Sequence, residues 1–212
     1  MNDLIQKRPF VVGPNKNSKL ERVPLSIGEF KEQWLQKLLQ DSPQLLPVAE
    51  IDAIYAPLVC IGREVATAAG YIDNLYISPK GYITIVETKL WRNPEARREV
   101  VGQIIDYAKE LKQFSYERLD KAVRSYNKSY FGKERNLFKT MVEHQLLKED
   151  DEALFVDLVQ NNLFNARFLL LVVGDGIRDG VWRMTEFLNS TPNMLYNIGL
   201  VELEVYRLTG DE

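Results

Sequence analysis

The chain has 212 residues, 27 Lys and Arg against 30 Asp and Glu for a net charge of −3, and 45% hydrophobic and 27% charged residues, the proportions of a soluble globular protein with a sizeable core. A single cysteine, Cys60, excludes an internal disulfide and a multi-cysteine zinc site, and a single histidine, His144, in a charged helical setting, argues against histidine-based metal or triad chemistry. Met1 to Val12 lacks the apolar core of a signal peptide, and Phe168 to Val173 is too short to span a bilayer, so a cytoplasmic protein with no membrane contact is expected.

In chain order, residues 1–25 read as a loose basic arm, with Pro9, Pro14 and Pro24, Lys7, Arg8, Lys16, Lys19 and Arg22, and a short strand at Phe10 to Val12. Ser26 and Glu29 form a capping box, predicting a helix from Ser26 to Gln40 that buries Phe30, Trp34, Leu35, Leu38 and Leu39. Pro57 to Thr67 holds the first strand of a sheet. Ala66 to Gly70 is a run of small residues that admits close approach.

Tyr71 to Ile77 and Tyr82 to Leu90 are strand sequences joined by Ser78-Pro79-Lys80-Gly81, a hairpin turn with Pro at its corner and Gly where positive φ is needed. Glu87 and Lys89 are two apart and leave one face of their strand. Val86 and Thr88 point the other way. Counting back from the turn sets Asp73 beside Glu87 and Lys89. Two carboxylates and an ammonium then converge at the sheet surface. Such a pair of hard oxygen ligands suits Mg²⁺, and the lysine can orient a water and stabilise developing negative charge.

A helix follows. Asn93 is its N-cap, Pro94 suits its first turn and Glu95 complements its dipole, and Val100, Ile104, Ala108 and Leu111 form its apolar stripe. Gln103 and Tyr107, four apart, share a neighbouring face. Lys89 to Lys139 holds 13 Lys and Arg against 7 Asp and Glu, a net of +6, which leaves −9 for the remainder. Phosphate affinity needs such a local basic surface rather than a basic protein. Arg92, Arg97 and Arg98 lie next to the convergent carboxylates and are the candidate phosphate contacts.

From Phe114 to Glu152 the pattern is helical and has the look of a mobile connector packed through Tyr126, Tyr130 and Phe131. The interleaved aromatics and basics of Ser125 to Lys133 also suit base stacking. Lys148 to Glu152 is a solvated break and Ala153 to Asn162 a helix. Phe168 to Gly176 is a buried strand ending in a turn, Val181 to Asn189 a helix, and Leu200 to Leu208 an alternating strand. This last strand–helix–strand unit is expected to extend the same sheet. No phosphate-binding glycine loop, internal repeat or low-complexity tract is present.

Ile72-Asp73 followed by Glu87-Thr88-Lys89 resembles the active site of the PD-(D/E)XK (restriction-endonuclease-like) nuclease superfamily, with Ile72 where the superfamily has its first proline. Gln103-Ile-Ile-Asp-Tyr107 is similar to the Gln-x-x-x-Tyr helix of its RecB-like branch. Glu32-x-x-Leu35-Gln36, then Pro43 and Leu45-Leu46, resembles the first helix of the mismatch-type endonucleases. The resemblance spans roughly residues 26–112.

It implies an α/β fold, a restriction-endonuclease-like central mixed β-sheet flanked by helices. After the arm at 1–25, residues 26–212 would form a single domain: a catalytic core at 26–112, a helical connector at 113–165 and the sheet extension at 166–212. It implies Mg²⁺- or Mn²⁺-dependent hydrolysis of DNA phosphodiester bonds, of the endonuclease type, in repair or defence. Asp73 and Glu87 would bind the metal with the Thr88 carbonyl, Lys89 would orient water, and Gln103 and Tyr107 would shape the site. Glu32, or in its place Glu29 or Glu64, would supply a further carboxylate. DNA is the expected partner, with pairing of two copies left open. The alternative is a non-cleaving nucleic-acid-binding or assembly module that keeps the fold.

Overall fold

The structure, a computed structural model, describes residues 10–12, 17–24, 30–90, 96–175, 179–191 and 196–208. Its elements are β1 (Phe10–Val12), β2 (Asn17–Val23), α1 (Glu32–Asp41), α2 (Val48–Ile51), β3 (Val59–Thr67), β4 (Gly70–Ile77) and β5 (Ile83–Leu90). They continue with α3 (Ala96–Leu111), α4 (Tyr116–Phe131), α5 (Leu137–Glu143), α6 (Glu152–Phe164), β6 (Phe168–Asp175), α7 (Asp179–Asn189), β7 (Asn197–Glu202) and β8 (Val205–Leu208).

The fold is mixed α/β, as expected. A five-stranded sheet runs in the order β3-β4-β5-β6-β7. Its first three strands are antiparallel neighbours, and β5-β6 and β6-β7 are parallel. A parallel step needs a long crossover, and α3 to α6 supply it between β5 and β6. The period of two then sorts side chains between faces. Phe168, Leu170 and Val172 of β6 join the core under α3, α4, α5 and α6. Leu169, Leu171 and Val173 join the core under α1. With helices on both faces, β6 is buried along nearly its whole length, which explains its unbroken apolar sequence.

The β4–β5 hairpin forms as predicted, with Ile77 paired to Ile83. Gly81 takes φ +73° in the turn, and a Cβ there would come within 2.9 Å of the Val159 backbone nitrogen on α6. The turn thus demands glycine both for its conformation and for its docking.

Several expectations are corrected. Helix α1 starts at Glu32, not Ser26, with extended Lys31 as its N-cap; Ser26 and Glu29 lie outside the described residues. The short strand at Phe10–Val12 forms as expected, as β1, but Asn17–Val23, read as part of a loose arm, is strand β2; it pairs with β1 and, antiparallel, with β8 in a second, three-stranded sheet. The supposed final strand is two. β7 extends the central sheet, whereas β8 belongs to the second sheet and ties the end of the chain to β2. The connector is a packed set of helices, as expected, but of the three aromatics expected to pack it only Tyr126 is buried, with Phe114, Phe138 and Phe155 also buried; Tyr130 and Phe131 are exposed. Among the described residues no helix is long and apolar enough to cross a membrane.

Candidate metal and catalytic site

The site lies where the β4–β5 ladder opens. The two strands pair from Ile77–Ile83 to Asn74–Val86 and no further, while β5 continues beside β6 to Leu90. In the gap the Asp73 carboxylate takes the place of a strand partner. Its Oδ2 accepts the Thr88 backbone N–H at 2.7 Å and the Thr88 hydroxyl at 2.6 Å, and its Oδ1 accepts Gln36 Nε2 at 2.8 Å. Charge-assisted bonds of this kind are strong and directional, so Asp73 is held from three sides.

Glu87 is placed differently. It is 4% exposed, and its Oε2 is buried with no hydrogen-bond partner among the described residues. A buried carboxylate with an unsatisfied oxygen resists ionisation in a low-dielectric setting. Burial, and then the neighbouring Asp73 charge, push Glu87 up to about 9, with Glu32 adding and Lys89 opposing. Asp73 is also raised, by burial first; the Thr88 hydroxyl and N–H pull it back, Glu32 raises it and Lys89 lowers it. The two carboxylates are therefore electrostatic neighbours.

Helix α1 closes one side. Glu32, in its first turn, accepts the Leu90 backbone N–H at 3.2 Å and stands 3.8 Å from Lys89 Nζ. Four residues on, and so on the same helical face, Gln36 reaches Asp73 by its side chain and accepts Asn74 Nδ2 on its carbonyl. Helix α3 closes the other side. Val100, Ile104, Ala108 and Leu111 are buried in the core as predicted, which leaves Gln103 and Tyr107 toward the site. Gln103 Nε2 donates to the Tyr107 hydroxyl at 2.7 Å. Burial raises Tyr107, the Gln103 bond lowers it, and the charges of Glu87 and Asp73 raise it further.

The structure thus brings together Asp73, Glu87, Lys89, Glu32 and Tyr107, with Gln103 behind Tyr107. One detail differs from expectation. Asp73 does not stand in file with Glu87 and Lys89; it is tied toward α1 and to Thr88, whose side chain alternates with theirs. Glu64 is exposed at φ +53° on β3, and Glu32 is the carboxylate that reaches Lys89. Arg92 and the side chains of Arg97 and Arg98 lie outside the described residues, as do Asn93, Pro94 and Glu95. Gln36 was not foreseen as a functional side chain. Its signals in the sequence are the spacing of four from Glu32 and its place in the Glu32-x-x-Leu35-Gln36 pattern.

Among the described residues no three Asp, Glu, His or Cys side chains gather closely enough to hold a cation by themselves. The donors present fit a cation that keeps water and takes few protein oxygens. They are hard oxygens, one of them the Glu87 Oε2 that no described residue satisfies. Comparison with family models, curated proteins and solved structures gives no match.

Proposed function

We propose that the chain is a Mg²⁺- or Mn²⁺-dependent nuclease of the PD-(D/E)XK type that hydrolyses phosphodiester bonds in DNA. The observation that carries the reading is the orphaned, buried Glu87 carboxyl beside Asp73 and Lys89 at the mouth of the opened hairpin. Burying an acid without partners is costly, and a fold keeps such a group where it does chemistry.

Asp73 and Glu87 would hold the cation, with the carbonyl of Thr88, the residue after Glu87, and Glu32 as the further oxygen. When bound, a divalent cation supplies Lewis acidity toward a phosphate oxygen and toward water. Lys89, on the strand beside Glu87, holds the attacking water through Nζ and offsets charge that develops on the phosphate. Gln36 and Thr88 keep Asp73 aimed through three hydrogen bonds. From α3 the Gln103–Tyr107 pair limits how far the Glu87 side can relax.

The test is incubation of pure protein with single-stranded, duplex and branched DNA, and with RNA, with and without Mn²⁺. Metal-dependent cleavage of DNA, abolished by Asp73→Ala, Glu87→Ala and Lys89→Ala with the fold intact, is the expected result. Cleavage that survives those changes or a chelator would refute the assignment. Metal-independent binding without any cleavage would favour the non-cleaving module.

A further inference from the structure

We propose that the groove between β3 and α4, continued by Tyr71 on β4, binds single-stranded nucleic acid through its bases and leads it to the opened hairpin. The destination of the strand rests on the nuclease reading; the binding surface does not.

Three observations converge. First, β3 is the edge strand of the central sheet, and α4 packs beside it. Between them lies a groove of about 380 Å³ lined by Arg63, Ala66, Ser125, Ser129 and Tyr130, with Glu64 as its one acid. Second, the register carries this groove to the catalytic strand. Ala66 is paired with Tyr71, and Arg63 with Asn74, so Tyr71 is one strand inward and two residues from Asp73. Third, aromatic surface is left in the open: Tyr71 is 64% exposed and Tyr130 38%, and Phe131, 52% exposed, lines the neighbouring cavity with Arg135.

The Tyr130 and Phe131 rings are backed, not loose. Tyr130 lies 5.0 Å from Tyr126, and Phe131 lies edge-on to Tyr126 at 5.7 Å; Tyr126 itself is buried against β3. The Arg63 guanidinium sits 4.7 Å over the Tyr130 ring, and that of Arg135 6.0 Å over Phe131. Rigid rings beside guanidinium planes form a stacking platform, and such platforms accept any base because every base has a π face. The chemistry selects single strands, since a duplex already buries its base faces against one another. The exposed Lys121, Lys128 and Lys133, in the segment of net charge +6, suit the backbone.

Binding of a fluorescein-labelled oligothymidylate is measured by anisotropy in EDTA, which prevents cleavage, against a duplex of equal length. The wild type should bind the single strand more tightly than the duplex. Tyr71→Ala and Tyr130→Ala should each weaken it roughly tenfold, the size expected for losing one stacked base. Tyr71→Phe and Tyr130→Phe should restore it, and melting curves report whether the alanine variants are folded. Equal binding of duplex, or wild-type affinity in a folded Tyr71→Ala/Tyr130→Ala double variant, would overturn the proposal. The two readings fail separately. Ring-independent binding together with metal-dependent cleavage removes only the stacking surface. Ring-dependent binding with no cleavage in Mn²⁺ removes only the nuclease.

Discussion

The two ends of the β4–β5 hairpin differ in kind. At the turn end the ladder is closed, Ile77, Ile83 and Ile85 are fully buried, and Gly81 seats the turn against α6. At the other end the ladder stops. A carboxylate replaces a strand partner, and a second carboxyl is buried with its Oε2 unpartnered among the described residues. The first end is stabilised by packing and by satisfied hydrogen bonds of the ladder and the turn, with Asn162 Nδ2 donating to the Lys80 carbonyl. The second holds groups that cost stability as built, and that cost marks where function is expected.

The comparison breaks most sharply if both ends respond alike to mutation. The largest effect belongs to the carboxylate end: Glu87→Ala or Asp73→Ala should lower metal-dependent cleavage by at least about a thousandfold, Glu87→Ala with melting temperature preserved and Asp73→Ala with some loss of stability, because it leaves the Thr88 and Gln36 donors unpaired. Ile85→Ala, at the packed end, should instead cost about 2–5 kcal/mol in urea unfolding, with cleavage per folded molecule unchanged.

Lys89→Ala should come next, lowering cleavage roughly a hundredfold or more while Mn²⁺ binding persists. Its exposure at 28% makes a large stability loss unexpected, because its contact with Glu32 is a partly solvated pair.

Glu87→Gln sharpens the contrast through pH. The folded protein holds the Glu87 proton up to about 9, whereas an ordinary glutamate loses it near 4.5. Between those values the unfolded chain is ionised and the folded one is not, so the folded state binds more protons. Wild-type stability then falls as pH rises through this window. Below it both states are protonated and the effect vanishes. Glutamine does not titrate, so Glu87→Gln should gain on wild type from pH 5 to pH 8, by at most about 3 kcal/mol at neutral pH. Chemical denaturation across that range checks it. Asp73, also raised, works in the same direction.

The smallest effects belong to the residues that aim Asp73. Thr88→Val removes the hydroxyl that donates to Oδ2 and leaves the backbone N–H. It should weaken Mn²⁺ binding several-fold and move the acid limb of the cleavage profile upward, since that hydroxyl holds Asp73 down.

Much of this was readable from residue order. Pro79 and Gly81 placed the turn, and from it the alternation of β5 followed; the helical spacing of Val100, Ile104, Ala108 and Leu111 placed α3. What escaped depends on partners distant in sequence. Asn17–Val23 is polar and shows little strand pattern, and it forms β2 because β8, at the far end of the chain, pairs with it. Leu200 to Leu208 alternates without a glycine or proline to mark the point where the chain leaves one sheet for the other. Gln36 looks like any helix-surface glutamine until Asp73 is set opposite it.

The most direct test is Mn²⁺ binding, followed by the loss of the free-ion electron paramagnetic resonance signal, in wild type and in Glu87→Gln. Wild type should take up Mn²⁺ more tightly at pH 8 than at pH 6, because entry of the cation must displace the Glu87 proton, and the variant should lose most of that affinity while remaining folded. Equal binding by the two proteins, or no uptake by wild type at pH 8, would contradict a metal site at the opened end of the hairpin.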